Sequence, residues 1–465
     1  MRVCVIGTGA SGLPAIKECR TAGLEVIAYE RTNDIGGLWN YRPELIVSRK
    51  DNFWEVKTNN GDKKLFDYVM ICTGHHSLPQ YPQIPGSEKF KGRILHSHKY
   101  RDYQGFEEKN IFIVGIGNSA LDIAAELSGV AKTVTISTRR GSWIFNRVSQ
   151  GGIPNDLKMM TRLYSYLMDK LPWTVANDFM EHRLQEDIEL IQETTVQVKG
   201  GRQFPADVII FATGYTFGFP FLYPKFIIPL KDHEVELYKY VFPLKYPSLA
   251  VIGLIQPIGS ILPISEMQSR WVAAVFKGQI SLPPHTEMEA DIKLKRAQNK
   301  RRYFKSKKHT LQVDYIKYMD EIAEQIGCKP SLKKYMFTEP SFCLRLLISA
   351  NAPYVYRLDG PGSWEKAKEA LISLPQRVKL PLKNRECDMK RYKKHGKIDE
   401  YFRYISMKWL AGWTCVVLFT GIWVFCLGSR NLTTFAYTVN VVIFFVFFSF
   451  ILLWFDLQYD MSTIF

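Results

Sequence analysis

Two glycine-rich turns, each directly behind a short apolar run, constrain this chain more than any other feature. The first is Gly7-Thr8-Gly9-Ala10-Ser11-Gly12, which follows Arg2–Ile6 and opens a helical stretch through Ala22. The second is Gly115-Ile116-Gly117-Asn118-Ser119-Ala120, which follows Ile111–Val114. A strand feeding a G-x-G-x-x-G/A turn and then a helix is the fingerprint of a dinucleotide-binding βαβ unit. Its glycines permit the tight turn, close approach of backbone to a pyrophosphate, and close packing of helix on strand. The phosphates then meet free N–H groups at the helix N-terminus.

The surrounding pattern agrees with two such units. Val3–Ile6, Glu25–Tyr29, Tyr68–Cys72, Ile111–Val114, Thr133–Ser137, Val208–Phe211 and Leu249–Ile252 are short, apolar, β-branched runs. Several lead straight into glycine and a helical stretch, as parallel strands covered on both faces do. Ile71-Cys72-Thr73-Gly74 and Phe211-Ala212-Thr213-Gly214 both read strand, then Thr-Gly, where the chain passes between units. The fold class is therefore α/β, with two nested Rossmann-like dinucleotide-binding domains followed by a C-terminal transmembrane helical segment. The expected division is 1–76 and 206–385 for a split first domain, with a helical extension in its second part. Residues 77–205 form the nested second domain, 386–408 a basic linker, and 409–455 a membrane anchor, expected as two helices.

The two turns differ in what lies behind them. Glu30 stands eighteen residues after Gly12, at the end of the next strand, where a carboxylate accepts bonds from ribose hydroxyls. The corresponding place behind the second turn holds Thr138-Arg139-Arg140. A carboxylate repels a 2′-phosphate, whereas guanidinium groups bind one through forked, charge-assisted bonds. The first site thus prefers a free ribose, as in FAD or NAD, and the second prefers NADP. A flavin and a nicotinamide in one chain point to hydride transfer between them. Gly36-Gly37-Leu38-Trp39 offers a second close approach of backbone to the first cofactor.

On these residues the chain resembles the microsomal flavin-containing monooxygenases, of the dimethylaniline N-oxide-forming type. Phe90-Lys-Gly92-Arg-Ile-Leu-His96-Ser-His-Lys-Tyr100 matches that family's FxGxxxHxxxY pattern, just ahead of the second turn. Gly36–Trp39, Phe211–Tyr215, Gly253–Pro257 and Tyr356–Trp364 are similar to family segments as well. The resemblance implies an oxidoreductase in which NADPH reduces FAD and O2 adds at flavin C4a to give a peroxyflavin. That peroxyflavin oxygenates a soft nitrogen or sulfur nucleophile of a small molecule, as in xenobiotic metabolism. By position, Gly7, Gly9, Gly12, Glu30, Gly37, Leu38, Trp39 and Thr73 go with FAD. Gly115, Gly117, Asn118, Ser119, Arg139 and Arg140 go with NADPH. His96 and Tyr100 are expected to support the linker between units, and Gln256 to neighbour the flavin. No acid/base dyad or nucleophile triad is visible, and no metal site is expected.

The chain carries a net charge of +16. Trp409–Gly428 and Leu432–Phe455 are uncharged runs, each long enough to cross a hydrocarbon core of roughly 30 Å. Lys390, Arg391, Lys393, Lys394, Lys397, Arg403 and Lys408 precede the first run, a bias that keeps the large N-terminal part cytosolic. With the resemblance, this implies the endoplasmic reticulum membrane, with the catalytic part facing the cytosol and membrane lipids as partners. One crossing or an interfacial hairpin is the alternative to two crossings. A second basic run, 293–308, reads as a solvated helix or loop with added attraction to anionic headgroups. No nucleic-acid module accompanies the charge. The opening MRVCVIG lacks the pattern of a cleavable leader, and nothing sets an oligomeric state.

Two intervals are shorter than the family pattern: that between Trp39 and Thr73, and that between Arg183 and Thr194. The first has room for a meander and a returning strand only. It lacks the asparagine-containing segment that, in the family, lies against the flavin. Shortened walls imply an impaired or uncoupled cycle. A pyridine-nucleotide disulfide reductase shares the two units but needs a cysteine pair near the flavin. The eight cysteines form no CxxC. Baeyer–Villiger oxygenation of carbonyls and a catalytically inactive, membrane-anchored relative are the remaining readings.

Overall fold

A computed structural model describes residues 1–30, 35, 46–50, 53–58, 61–76, 78–138, 154, 157, 160–170, 188–198, 201–224, 227–231, 234–302 and 309–382. All seven expected strands form, and they sort into two parallel sheets of four. The first sheet runs in the order Glu25–Tyr29, Arg2–Ile6, Tyr68–Ile71, Leu249–Val251. The second runs Thr133–Ser137, Asn110–Val114, Val208–Phe211, Arg93–His96. The eighth strand, Arg93–His96, comes from inside the FxGxxxHxxxY segment and pairs in parallel with Val208–Phe211. The inner strands are apolar along their length because helices and loops cover both faces. Val3, Cys4 and Val5 are 0% exposed, as are Val69, Met70 and Ile71.

Each sheet is followed closely by the helix its turn opens. Gly12–Thr21 returns the chain to Glu25–Tyr29, and Asn118–Leu127 returns it to Thr133–Ser137. Both helices bury small residues, Ala15 and Cys19 in one and Ala120 and Ala124 in the other. Small side chains let a helix axis lie close to its sheet.

The short interval after the first turn holds the expected meander. Ile46–Lys50, Phe53–Lys57 and Lys63–Phe66 pair antiparallel in sequence, and Tyr68–Ile71 then re-enters the first sheet. Trp54 anchors the meander: it is fully buried, and its indole N–H donates to Ser248 Oγ at 3.1 Å. The two Thr-Gly segments open the links between the sheets. Gly74 and Gly214 both take positive φ, at 69° and 88°, and the segments beyond them pair as a two-stranded ribbon, Leu78–Pro79 with Tyr215–Thr216. That sign of φ suits glycine because it has no Cβ to clash with the backbone.

Helix Ile261–Phe276 packs against Gly12–Thr21, with Ser11 Oγ and Ser265 Oγ 3.0 Å apart in the buried contact. Trp271 on that helix is fully buried between Tyr238 and Phe242, edge-to-face with both. Helix Tyr315–Ile326 lies alongside and receives Arg162 from helix Arg162–Lys170. Arg162 grips Asp320 with two bonds, of 2.6 and 2.7 Å.

The basic run behaves differently from a bare charged face. Residues 293–302 belong to helix His285–Arg302, and acids from this helix and from elsewhere meet several of its cations. Lys295 pairs with Asp291 and Glu321, Arg296 with Glu234 and Glu236, and Lys300 with Glu234. With Lys293 on Glu289, four of the run's cations among the described residues are answered within the fold. Residues 303–308 lie outside the described residues.

The chain separates into two compact units, one of Met1–Phe145 with Lys158–Leu371, the other of Asn146–Leu157 with Ile372–Phe465. Both sheets belong to the first unit. In the second, the described part is chiefly the helix Leu374–Leu382. Among the described residues no helix is long and apolar enough to cross a membrane. The expected spans at 409–428 and 432–455 lie outside the described residues.

Candidate functional site

The two glycine turns share one construction. In the first, Gly7 has φ +92° and its N–H donates to the Tyr29 carbonyl at 2.8 Å. A Cβ on Gly7 would stand 2.9 Å from the carbonyl oxygen of Cys72. In the second, Gly115 has φ +115° and its N–H donates to the Ser137 carbonyl at 2.9 Å. A Cβ there would stand 2.5 Å from the carbonyl oxygen of Ala212. Each turn is thus pinned between the ends of its two neighbouring strands, in backbone space that only glycine fits.

Gly12, third of its motif, closes the first turn onto its helix: a Cβ would reach 1.9 Å from the Gly7 carbonyl oxygen. Ala120 holds the equivalent place in the second motif and is fully buried. Gly117 faces open space, with nothing within 4 Å of an added Cβ, and Asn118 and Ser119 beside it are exposed. Neither helix has its first N–H groups covered by a capping side chain, and neither carries an acid in its first turn. Uncapped donors at the positive end of a helix dipole favour an anion. These features fit a dinucleotide pyrophosphate at each turn.

Glu30 stands at the first turn itself. Its Oε2 accepts from the Thr8 N–H at 2.6 Å and from the Thr8 hydroxyl at 2.7 Å. Thr8 is buried, and the fingerprint leaves its position open to any residue. Gly9 contributes its carbonyl to Leu13 N–H at 3.1 Å. Thr73 is exposed just past the strand end whose Cys72 carbonyl abuts Gly7. The remaining members of the expected set, Gly37, Leu38, Trp39, Arg139 and Arg140, lie outside the described residues. Gln256 is exposed and starts a short strand paired with Gln312–Asp314.

His96 and Tyr100 occupy supporting places. His96 is fully buried, accepts the His98 N–H on Nδ1 at 3.1 Å, and bonds through Nε2 to the Gly214 carbonyl. Tyr100 packs its ring against Phe106, and burial together with the neighbouring Glu126 pushes its phenol up. His75 and His76, unremarkable in the sequence, meet here too. Their ring centres are 4.1 Å apart, and His76 and His96 both flank Tyr215. Burial and the adjacent His76 push the His75 imidazole down to about 4. Cys4, Cys19 and Cys72 are buried free thiols, and burial raises all three. They are packing groups rather than a redox pair.

The sequence pattern described as flavin-binding monooxygenase-like matches residues 1–48, 46–192 and 184–426. Flavin-containing monooxygenase 5 of Rattus norvegicus is 36% identical over 500 residues, covering 83% of this chain and 93% of that protein. Dimethylaniline monooxygenase (N-oxide-forming) 2 of Oryctolagus cuniculus is 36% identical over 501 residues, with the same coverage of 83% and 93%. An alignment of 500 positions that takes in 83% of a 465-residue chain leaves the relative many residues with no counterpart here. Among solved structures, the S-allyl-L-cysteine S-oxygenase of Allium sativum superposes with a TM-score of 0.57 at 23% identity, over 81% of this chain and 98% of that one. Tmm from Pelagibacter sp. strain HTCC7211 gives 0.56 at 20% identity, over 78% and 94%; both likenesses concern the fold. With this fold, its paired turns and these relatives, the chain belongs to the flavin-binding monooxygenase-like family, oxidoreductases that use FAD and NADPH.

Proposed function

We propose that this monooxygenase oxygenates soft nitrogen or sulfur nucleophiles of small molecules, with NADPH as reductant and O2 as oxidant. The observation that carries the reading is the pair of turns built alike in one compact unit, of which the first holds a carboxylate, Glu30, tied to it. Residues 1–76 and 206–385 would hold FAD, through Gly7, Gly9, Gly12, Glu30, Gly37, Leu38, Trp39 and Thr73. Residues 77–205 would hold NADPH, through Gly115, Gly117, Asn118, Ser119, Arg139 and Arg140. The flavin, when bound, supplies hydride acceptance and oxygen activation. The chain's own part is to place the two nucleotides and exclude water. Apolar runs 409–428 and 432–455, behind the basic linker 386–408, would anchor it in the endoplasmic reticulum membrane, with the catalytic part in the cytosol.

The short intervals bear on how well the cycle is coupled. Oxygen transfer from a flavin needs a site closed to water, and this chain lacks many residues its relatives carry. NADPH oxidation is therefore expected to release mostly H2O2 rather than oxygenated product. The test is to purify the full chain in detergent and measure bound flavin, NADPH consumption, H2O2 release and sulfoxidation of a simple thioether. Sulfoxide formed one-for-one with NADPH would overturn the uncoupling. Lactone formed from a cyclic ketone in place of sulfoxide would turn the reading to carbonyl oxygenation. Protein without flavin would favour a catalytically inactive relative.

A further inference from the structure

The G-x-G-x-x-G pattern requires nothing of its second residue, yet here that residue touches the acid expected on the ribose. Thr8 is 4% exposed and lies between Gly7 and Gly9, where the backbone turns toward the helix. Two donors of the same residue, the N–H and the hydroxyl, converge on one oxygen of Glu30, at 2.6 and 2.7 Å. A carboxylate accepting two short bonds is held in one rotamer. A glutamate side chain otherwise gives up rotamer freedom when a ligand orders it, and prior ordering lowers that cost.

The geometry points to Thr8 as a positioning residue for the flavin nucleotide: its hydroxyl presets Glu30 for the adenosine ribose. This rests on reading the first turn as the FAD site. The backbone N–H bond is available to any residue at position 8 except proline, so the hydroxyl is the part this sequence adds. Valine matches threonine in shape and lacks the donor, whereas serine keeps the donor and drops the methyl.

The test titrates FAD into full-length protein stripped of flavin, following flavin fluorescence, with a ligand-free thermal melt of each variant as the fold control. Thr8→Val is expected to raise the Kd for FAD by up to about tenfold, the scale of ordering one rotamer-rich side chain. Thr8→Ser should stay within about threefold of the parent. In a Glu30→Gln background, Thr8→Val should add no more than about twofold, because the hydroxyl acts through the carboxylate. The same loss in both backgrounds, or parental affinity in Thr8→Val, overturns the proposal. If Thr8→Val melts before titration, Thr8→Ala carries the same comparison. A parent chain that binds no FAD overturns instead the reading of the turn on which the proposal rests.

Discussion

His96 and Gly214, 118 positions apart, are joined by a part-buried hydrogen bond of 3.1 Å between the imidazole Nε2 and the carbonyl oxygen. Because Nδ1 already accepts the His98 N–H, the ring proton sits on Nε2 and donates to Gly214. The bond fastens the end of the strand Arg93–His96 to the connection that leaves Val208–Phe211, just where Thr213 also donates its hydroxyl to the Gln80 carbonyl. Both ribbon strands between the sheets are thus held by side chains as well as by their own pairing.

His96→Ala is expected to cost about 2–4 kcal/mol, since it empties a buried ring site and orphans a carbonyl and an N–H. His96→Gln should recover part of that loss by keeping a donor. Thermal melts of the two variants against the parent check this. A loss below about 0.5 kcal/mol in His96→Ala would remove the fastening role.

Glycines of the two turns should respond in opposite ways. Gly12→Ala drives a Cβ to 1.9 Å from a backbone oxygen, so it is expected to yield little folded protein. Gly117→Ala meets no atom within 4 Å and should melt within about 0.5 kcal/mol of the parent. Its methyl would stand where the phosphates of NADPH are proposed to lie, so NADPH affinity should fall about tenfold or more. Soluble yield, melting temperature and NADPH titration separate the two outcomes.

Arg162 and Asp320 form a two-bond ion pair with side chains 9% and 16% exposed, and Tyr356 donates to the same carboxylate at 2.7 Å. Arg162→Ala should destabilise by about 2–4 kcal/mol, because it leaves a partly buried carboxylate with, among the described residues, only Lys329, 3.8 Å away, as its cation. Arg162→Lys is expected to recover less than half, as an ammonium cannot make the forked pair. Denaturant titrations of the three proteins provide the comparison.

Stability should also fall on the acid side because of His75. Its imidazole is pushed down to about 4 in the fold, whereas the unfolded chain keeps a value of about 6.5. Between those two values the unfolded state binds more protons than the native one, so stability drops as pH falls through the window. His75→Asn removes this term. Its melting temperature should therefore decline less than the parent's from pH 6.5 to 4, by an amount on the order of 1 kcal/mol given the ring's partial exposure. Parallel slopes for the two proteins would refute the assignment.

Much of this was legible along the chain because it is written in neighbouring residues. Strand, glycine turn and helix follow one another at both sites, and Val3–Ile6 and Ile111–Val114 announce themselves by unbroken apolar content. The meander was readable from length alone, since too few residues remained for another crossover helix. Contacts between distant positions were not. Nothing near Thr8 marks it as a partner of Glu30, for the fingerprint is silent at that position. The run at 293–308 reads as bare positive charge because the acids that answer it, Glu234, Glu236 and Glu321, arrive from other elements.

The sequence by itself determined the local decisions: two dinucleotide turns, their strands and helices, and a carboxylate at the end of the strand after the first. Glycine's freedom at positive φ and the apolar runs are properties of short segments, so they survive without tertiary context. Only the tertiary structure decided which side chains serve those turns. Thr8 secures Glu30, His96 secures the ribbon, and Arg162 docks on Asp320, each because folding brings a donor within hydrogen-bond reach of an acceptor that chain distance does not reveal.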